Sequence, residues 1–358
     1  MDDRVPAGRR PGRASATNAA GRFERHGREA FHDGWPRDED LPPLRTEVAQ
    51  ERPRRVVASN ASPDMPFERS LNPYRGCEHG CIYCYARPTH AFLGLSPGLD
   101  FETRLVAKVG VAAALAREFR ARGYAPKAIA VGTATDPYQP AERDRRTMRG
   151  VLKVLLDFGH PATVTTRGAG IERDLDLLGA LAERGLLSVG MSVTTLDPAL
   201  ARAMEPRAPA PARRLLTIRR LAEAGVPVRV QVSPLIPALT DHELEAILAA
   251  GAEAGARAAS CIPLRLPREV AGLFRAWLEE RVPGRAARVM NRVRELHGGR
   301  DYDPDWGTRM TGQGEWARLT RRRLEVALRR TGLAEDLPPL RTDLFRVPED
   351  PADQLSLF

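Results

Sequence analysis

From about residue 66 onward, short apolar runs alternate with longer stretches whose apolar positions recur every three or four residues. The runs ERSLNPYR, AIAVGTAT, ATVTTR, LSVGMSV, PVRVQVS and ASCIPLRL read as six strands. Between them, 103–122 carries Leu105, Val109, Ala112 and Leu115 on one helical face, and similar periodicity marks 142–157, 174–184, 212–224 and 241–250 as helices. Strands alternating with helices predict a parallel sheet with crossover helices. No Gly-rich phosphate loop follows the first strand, which favours an open α/β barrel, a partial (β/α)6 barrel, over a doubly wound nucleotide-binding sheet. Chemistry in such a barrel sits at the C-terminal strand ends. Asp136, Arg167, Ser192, Thr194 and Arg265 fall there.

The flanks read differently. Residues 1–60 are polar, punctuated by Pro and Gly, and predict an extended or disordered arm. The barrel is expected over 61–300, a basic helical extension over 301–335, and a flexible tail over 336–358. LPPLRTEV at 41–48 nearly repeats as LPPLRTDL at 337–344, too short a match for a repeat architecture.

Composition sharpens this picture. At 358 residues and 42% hydrophobic, the chain can bury a large core without disulfides. It lacks an apolar run of membrane-spanning length, and a cytoplasmic protein is expected. Formal charge is +9, with 13 arginines against 6 acidic residues over 281–330, including Arg321, Arg322 and Arg323. That excess suits an anionic partner such as nucleic acid, although lysine is used only three times and an arginine-rich composition also accounts for it.

Three of the four cysteines are crowded into RGCEHGCIYCYARPTH. Cys77, Cys81 and Cys84 form C-x₃-C-x₂-C, which lets one loop wrap three thiolates around a metal centre. Two centres fit: zinc, completed by His79, His90 or Cys261, or a [4Fe–4S] cluster whose fourth iron has no protein ligand.

The loop, with Tyr83 at its aromatic position, resembles that of the radical SAM superfamily, and the resemblance favours the cluster. SPDMPFERSLNPYRGCEHGCIYCYARPTH, GTATDPYQPAE and MEPRAPAPARRL are similar to the spore photoproduct lyase group and to a bacterial subfamily of lyase-like DNA-repair proteins. The resemblance implies S-adenosylmethionine bound at the open iron, its cleavage to a 5′-deoxyadenosyl radical, and an electron donor such as flavodoxin or ferredoxin. By position it implies cofactor contacts at Tyr83, Thr135, Arg167 and Ser192. Tyr85 matches a tyrosine that partners the lyase's hydrogen-donating cysteine. Thr133 stands where that cysteine would be, and its strong O–H bond cannot replace a thiol, which argues against dimer reversal by the same route. Cys261 reads as a core thiol.

Glu205, Arg207, Arg213 and Arg214 on a Pro-stiffened loop, with Arg265, are candidate substrate contacts or salt bridges that clamp the loop. The terminal Gln354, Leu355, Ser356, Leu357 and Phe358 match the pentapeptide by which bacterial repair proteins dock on the replication sliding clamp. The expected function is a radical SAM enzyme acting on DNA and delivered there by clamp binding. RNA or protein as substrate, and a zinc-bearing nucleic-acid adaptor, are the alternatives.

Overall fold

The computed structural model describes residues 4–24 and 42–349. Its strands are β1 (Glu47–Glu51), β2 (Val57–Ser59), β3 (Arg69–Leu71), β4 (Tyr74–Arg75), β5 (Arg104–Lys108), β6 (Ile129–Val131), β7 (Ala162–Thr166), β8 (Leu187–Ser192), β9 (Val228–Leu235) and β10 (Ala258–Pro263). The helices are α1 (Leu99–Thr103), α2 (Val111–Phe119), α3 (Glu142–Arg145), α4 (Thr147–Asp157), α5 (Leu175–Glu183), α6 (Pro198–Met204), α7 (Pro211–Glu223), α8 (Leu244–Glu253), α9 (Glu269–Arg281), α10 (Pro283–Leu296) and α11 (Gly314–Thr331).

β3, β6, β7, β8, β9 and β10 lie side by side in parallel, with β2 antiparallel on the free edge of β3. This is the partial barrel the alternation predicts. All six positions of β8 are buried, as an interior strand covered on both faces requires. Outside, α2 turns Val111, Ala114, Leu115 and Phe119 inward, and α4 turns Met148, Val151, Leu152 and Leu155 inward. Each such side chain contributes about 2 kcal/mol, so packing rather than helix propensity holds this layer. A second core joins Ile236, Leu239, Leu264 and Leu266 beyond β9 and β10 to Phe274 and Trp277 of α9, Val289 and Val293 of α10, and Cys81, Ile82 and Tyr83. The helices after the last strand thus brace the cysteine loop.

Three element expectations change. The helix predicted over 103–122 is α1, β5 and α2 in succession. Leu105 and Ala107 are buried in alternation, and β5 pairs with β1 and β4 in a second, three-stranded sheet. The first predicted strand splits between the two sheets as β3 and β4. The helix over 142–157 breaks at Arg146, whose φ of 51° lies in the left-handed region.

Where it is described, the arm is extended but not loose. Arg13, Ala14, Ser15 and Ala16 are buried, and Arg10 meets Glu280 of α9 at 2.8 Å. Nor is the tail loose where it is described. Arg341 N donates to Gly185 O and Arg346 N to Phe158 O, both at 3.0 Å, while the Phe345 ring sits 5.4 Å from Tyr124 and 5.9 Å from Phe119. The described part of the first LPPLRT copy, 42–46, is held to the arm by Leu44 N donating to Arg9 O at 2.8 Å, and the second runs along the body; the proline pair of each lacks backbone donors and leaves fewer to satisfy. Residues 354–358 lie outside the described residues.

Candidate active site

The cysteine loop follows β4 and coils through three turns, each opened by a cysteine. Gly80 N donates to Cys77 O, Cys84 N to Cys81 O, and Arg87 N to Cys84 O, each at 3.2 Å. Gly76 and Gly80 take positive φ of 76° and 66°, and both are pressed against neighbouring chain. A Cβ at Gly80 would lie 2.7 Å from Glu102 Oε2, so only glycine fits there. Cys77 and Cys81 are buried, Cys84 is half-buried, and none is in a disulfide. Burial pushes the Cys81 thiol up to about 12 and Cys77 well above its ordinary value, so a metal must replace the protons for both to serve as thiolates.

Beneath the loop lies a fully buried ion pair, Arg87–Glu102 at 2.6 Å. Arg87 also donates to the carbonyls of Cys81 (2.9 Å), Gly80 (2.9 Å), Pro97 (3.0 Å) and Gly98 (2.9 Å). Glu102 accepts from the backbone N–H of Ala14 at 3.1 Å and Ser15 at 3.0 Å. The N-terminal arm is thereby tied to the back of the cysteine loop. Arg13 extends the tie, donating to Glu102 O at 2.7 Å and Thr46 Oγ1 at 2.8 Å.

A polar layer spans the strand ends on the other side. Asp136 accepts from Thr166 Oγ1 (2.6 Å), Arg167 N (2.8 Å) and Tyr138 N (2.9 Å), and lies 3.3 Å from His79 Nδ1. Burial alone would raise its pKa; His79 and the donors outweigh it and hold the carboxylate at about 2. Glu205, also buried, receives Arg167 at 2.7 Å, Thr194 Oγ1 at 2.7 Å, and the Arg214 and Tyr83 side chains. Its burial is likewise overcome, here chiefly by Arg214 and Arg167, which hold it at about 2.

Above this layer opens a cavity of about 460 Å³. Its floor holds Cys84, Tyr83, Tyr85, Thr133 and Arg167; Pro263 at the end of β10 and Arg265 just beyond it form one side, and Met65, Phe67, Arg309 and Met310 form the far wall. Tyr85 is 49% exposed, donates its hydroxyl to Thr133 O, and lies under the Arg265 guanidinium at 5.6 Å. Asn72 fixes the 133–134 turn, donating to Thr133 Oγ1 at 3.0 Å and accepting from Ala134 N at 2.8 Å. Across the far wall Arg309 grips Asp64 through two bonds of 2.6 Å.

The structure brings Cys84, Tyr83, Tyr85, Thr133, Arg167 and Arg265 together around this cavity, while Cys77 and Cys81 of the same loop are buried behind its lining. Thr135 and Ser192 lie below it. Thr135 Oγ1 donates to Gly76 O at 2.6 Å, and Ser192 Oγ donates to Gln231 Oε1 at 3.5 Å while its carbonyl accepts from Arg214. The substrate role expected of the 205–214 loop is corrected in part: Glu205 is sealed in the polar layer, and Arg213 turns to Glu172, with Nη2–Oε2 at 2.9 Å. Arg207 pairs with Glu78 at 3.2 Å and lines a separate cavity beside His79. Cys261 packs against the main core, away from the cavity wall. Arg87, Glu102, Asn72 and Arg309 escape periodicity, because a buried ion pair leaves no repeating pattern. Only the presence of Arg87 and Asn72 in the same motif as the cysteines pointed toward them.

The donor set fits a cluster with one open iron. Three thiols share one coil, the number a [4Fe–4S] cluster with one open iron takes from protein. Of the other candidate ligands, His79 Nδ1 lies 3.3 Å from Asp136, His90 Nε2 lies 2.9 Å from Arg104 O, and Cys261 packs against the main core.

The radical SAM superfamily model matches residues 71–250. An uncharacterized protein of Mycobacterium tuberculosis is 38% identical over 242 residues, covering 67% of this chain and 70% of its own. One from Methanocaldococcus jannaschii is 27% identical over 173 residues, or 48% and 62% of the two chains. Among solved structures, a variant of spore photoproduct lyase superposes with a TM-score of 0.56 at 15% identity, over 79% of this chain and 78% of the other. Another variant, with bound AdoMet and dinucleoside spore photoproduct, gives 0.51 at 15% identity, over 79% and 77%. These last two share the fold. With three cysteines on one loop, six parallel strands in barrel order and half the chain matched by the family model, this chain belongs to the radical SAM superfamily.

Proposed function

We propose that this radical SAM enzyme acts on DNA, holding one nucleotide in the cavity above the cysteine loop. The observation that carries the reading is the composition of the cavity: Cys84, two tyrosines and Arg167 on its floor, with Arg265 and Arg309 around them. Arginine forks suit carboxylate and phosphate oxygens, and aromatic faces suit bases.

Cys77, Cys81 and Cys84 would hold the [4Fe–4S] cluster, and with S-adenosylmethionine it supplies a 5′-deoxyadenosyl radical able to take hydrogen from an unactivated C–H bond. The protein's part is positional. Tyr83 and Arg167, locked by Glu205, orient the cofactor, and Thr135 and Ser192 support that contact from below by fixing the loop and the strand end. Tyr85 and Thr133 meet the substrate side. Among the described residues the wall offers no thiol beyond Cys84, so the hydrogen-donor role passes to Tyr85, whose phenolic O–H is weaker than the Thr133 hydroxyl. This supports a reaction other than thiol-dependent dimer reversal.

Clamp delivery rests on the match at Gln354, Leu355, Ser356, Leu357 and Phe358, and the reductant on the family's need for one. The decisive assay is anaerobic reconstitution with iron and sulfide, then dithionite and S-adenosylmethionine, measuring 5′-deoxyadenosine with and without DNA. Product that requires the three cysteines and rises with DNA is expected; yields indifferent to DNA in a fully loaded enzyme would refute the substrate class.

A further inference from the structure

Away from the cavity, a groove of about 720 Å³ runs between α10 and the start of α11. Arg285, Arg288 and Arg292 line one side, Trp316 and Leu319 the other, and His242 closes one end. Arg285 and Arg288 are exposed and, among the described residues, have no ion-pair partner. Arg292 is shared with Glu295 at 2.6 Å. Three arginines in the lining face two carboxylates, Asp241, which accepts from the neutral Trp316 Nε1 at 3.0 Å, and Glu315, which lies 3.8 Å from Arg318. The groove is therefore net cationic, with 58%-exposed Leu319 and half-buried Trp316 as apolar surface beside the charges.

Two chain segments tie this groove to the cavity. Ser233 and Pro234 of β9 line the cavity, and Ala238, Asp241 and His242, in the turns that follow that strand, line the groove. Arg309 and Met310 line the cavity, and Glu315, Trp316 and Leu319 follow directly in the groove. A linear polyanion leaving the cavity over either segment meets the arginine row. The helical rise sets Arg285, Arg288 and Arg292 about 4.5 and 6 Å apart along the axis, so successive phosphates can be met in turn.

We propose that this groove binds the backbone of single-stranded DNA flanking the nucleotide in the cavity, an inference that rests on the DNA reading above. A single strand fits better than a duplex, because a base must leave its stack to enter the cavity, and Trp316 and Leu319 offer a surface for an unstacked neighbour.

The test is fluorescence anisotropy of the reconstituted holoenzyme with a labelled strand of about 20 nucleotides across a salt series. Charge reversal at Arg285→Glu with Arg288→Glu should weaken binding at least about tenfold and lower the salt slope by about two, while Lys at both positions should restore it. Cluster content and DNA-independent cleavage of S-adenosylmethionine should stay at wild-type level. If the reversed pair impairs loading, the single Gln variants, each lowering the slope by about one, carry the test. Unchanged affinity and slope in a correctly loaded double variant would overturn the groove and leave the DNA reading intact. Wild-type enzyme that binds no strand even at low salt would overturn both. Stronger binding of RNA of the same sequence, equally sensitive to reversal, would overturn the choice of DNA.

Discussion

The two sides of the cavity are built in opposite ways. Beneath the cysteine loop, charges are buried and densely paired: Arg87 makes five hydrogen bonds, and Glu205 gathers two arginines and two hydroxyls. The far wall is a pair of loops, 59–67 and 309–310, joined across the opening by the Asp64–Arg309 bridge at 2.6 Å. Buried ion pairs satisfied on all sides fix one geometry, since losing any member strands the rest in a low dielectric. The difference separates a floor held by many buried ionic contacts from a wall joined across the opening by a single ion pair.

The largest way to break that contrast is Arg87→Met, which keeps the bulk but strands Glu102 and four carbonyls. A loss of about 3–5 kcal/mol is expected, with iron content falling in proportion. Chemical denaturation and iron analysis check it, and near-wild-type loading would mean the floor is not held this way.

Next comes Glu205→Gln, expected to cost about 3 kcal/mol by leaving Arg214 and Arg167 without a counter-charge. It also carries a pH signature. Because the folded pKa is held down at about 2 from an ordinary 4.5, the contribution is fully present above pH 4.5 and fades as pH falls toward 2. Denaturation of the metal-free protein across that window should show a smaller acid loss in the variant than in wild type; Asp136, held low as well, accounts for what remains. Equal acid loss in both would show that Glu205 is not the titrating group.

Tyr85→Phe sits between the two sides. Removal of its hydroxyl should slow product formation about tenfold, equivalent to about 1.4 kcal/mol, while cleavage of S-adenosylmethionine continues. Full product yield in the variant would reduce Tyr85 to a packing role.

Smallest is Asp64→Asn. A single, partly exposed pair contributes about 1 kcal/mol or less, so the denaturation midpoint should barely move and iron content should not change. The apparent KM for DNA should shift instead. A large stability loss here would erase the distinction between floor and wall.

The sequence made the six-strand succession legible because β7, β8, β9 and β10 carry apolar runs flanked by turns, and it marked the three cysteines by spacing alone. It did not reveal β5. Leu105, Val109, Ala112 and Leu115 satisfy a helical period, and only pairing with β1, some fifty positions earlier, makes Arg104–Lys108 a strand. Position-by-position carry-over found Tyr83 and Arg167 at the cavity but also Thr135 and Ser192, whose short hydroxyls are engaged below it. Burial of the arm was invisible for a related reason: Arg13 and Ser15 are polar, and their partners lie 89 and 87 residues away.

That separation orders events during synthesis. Residues 13–15 are translated well before Glu102 exists to receive them, so the arm must wait while the cysteine loop is made and coiled. Until it docks, the back of the loop, where Ala14 later packs near Cys81, stands open to solvent. The arm therefore closes over a loop already made, and its docking completes the burial of the face that carries Cys81.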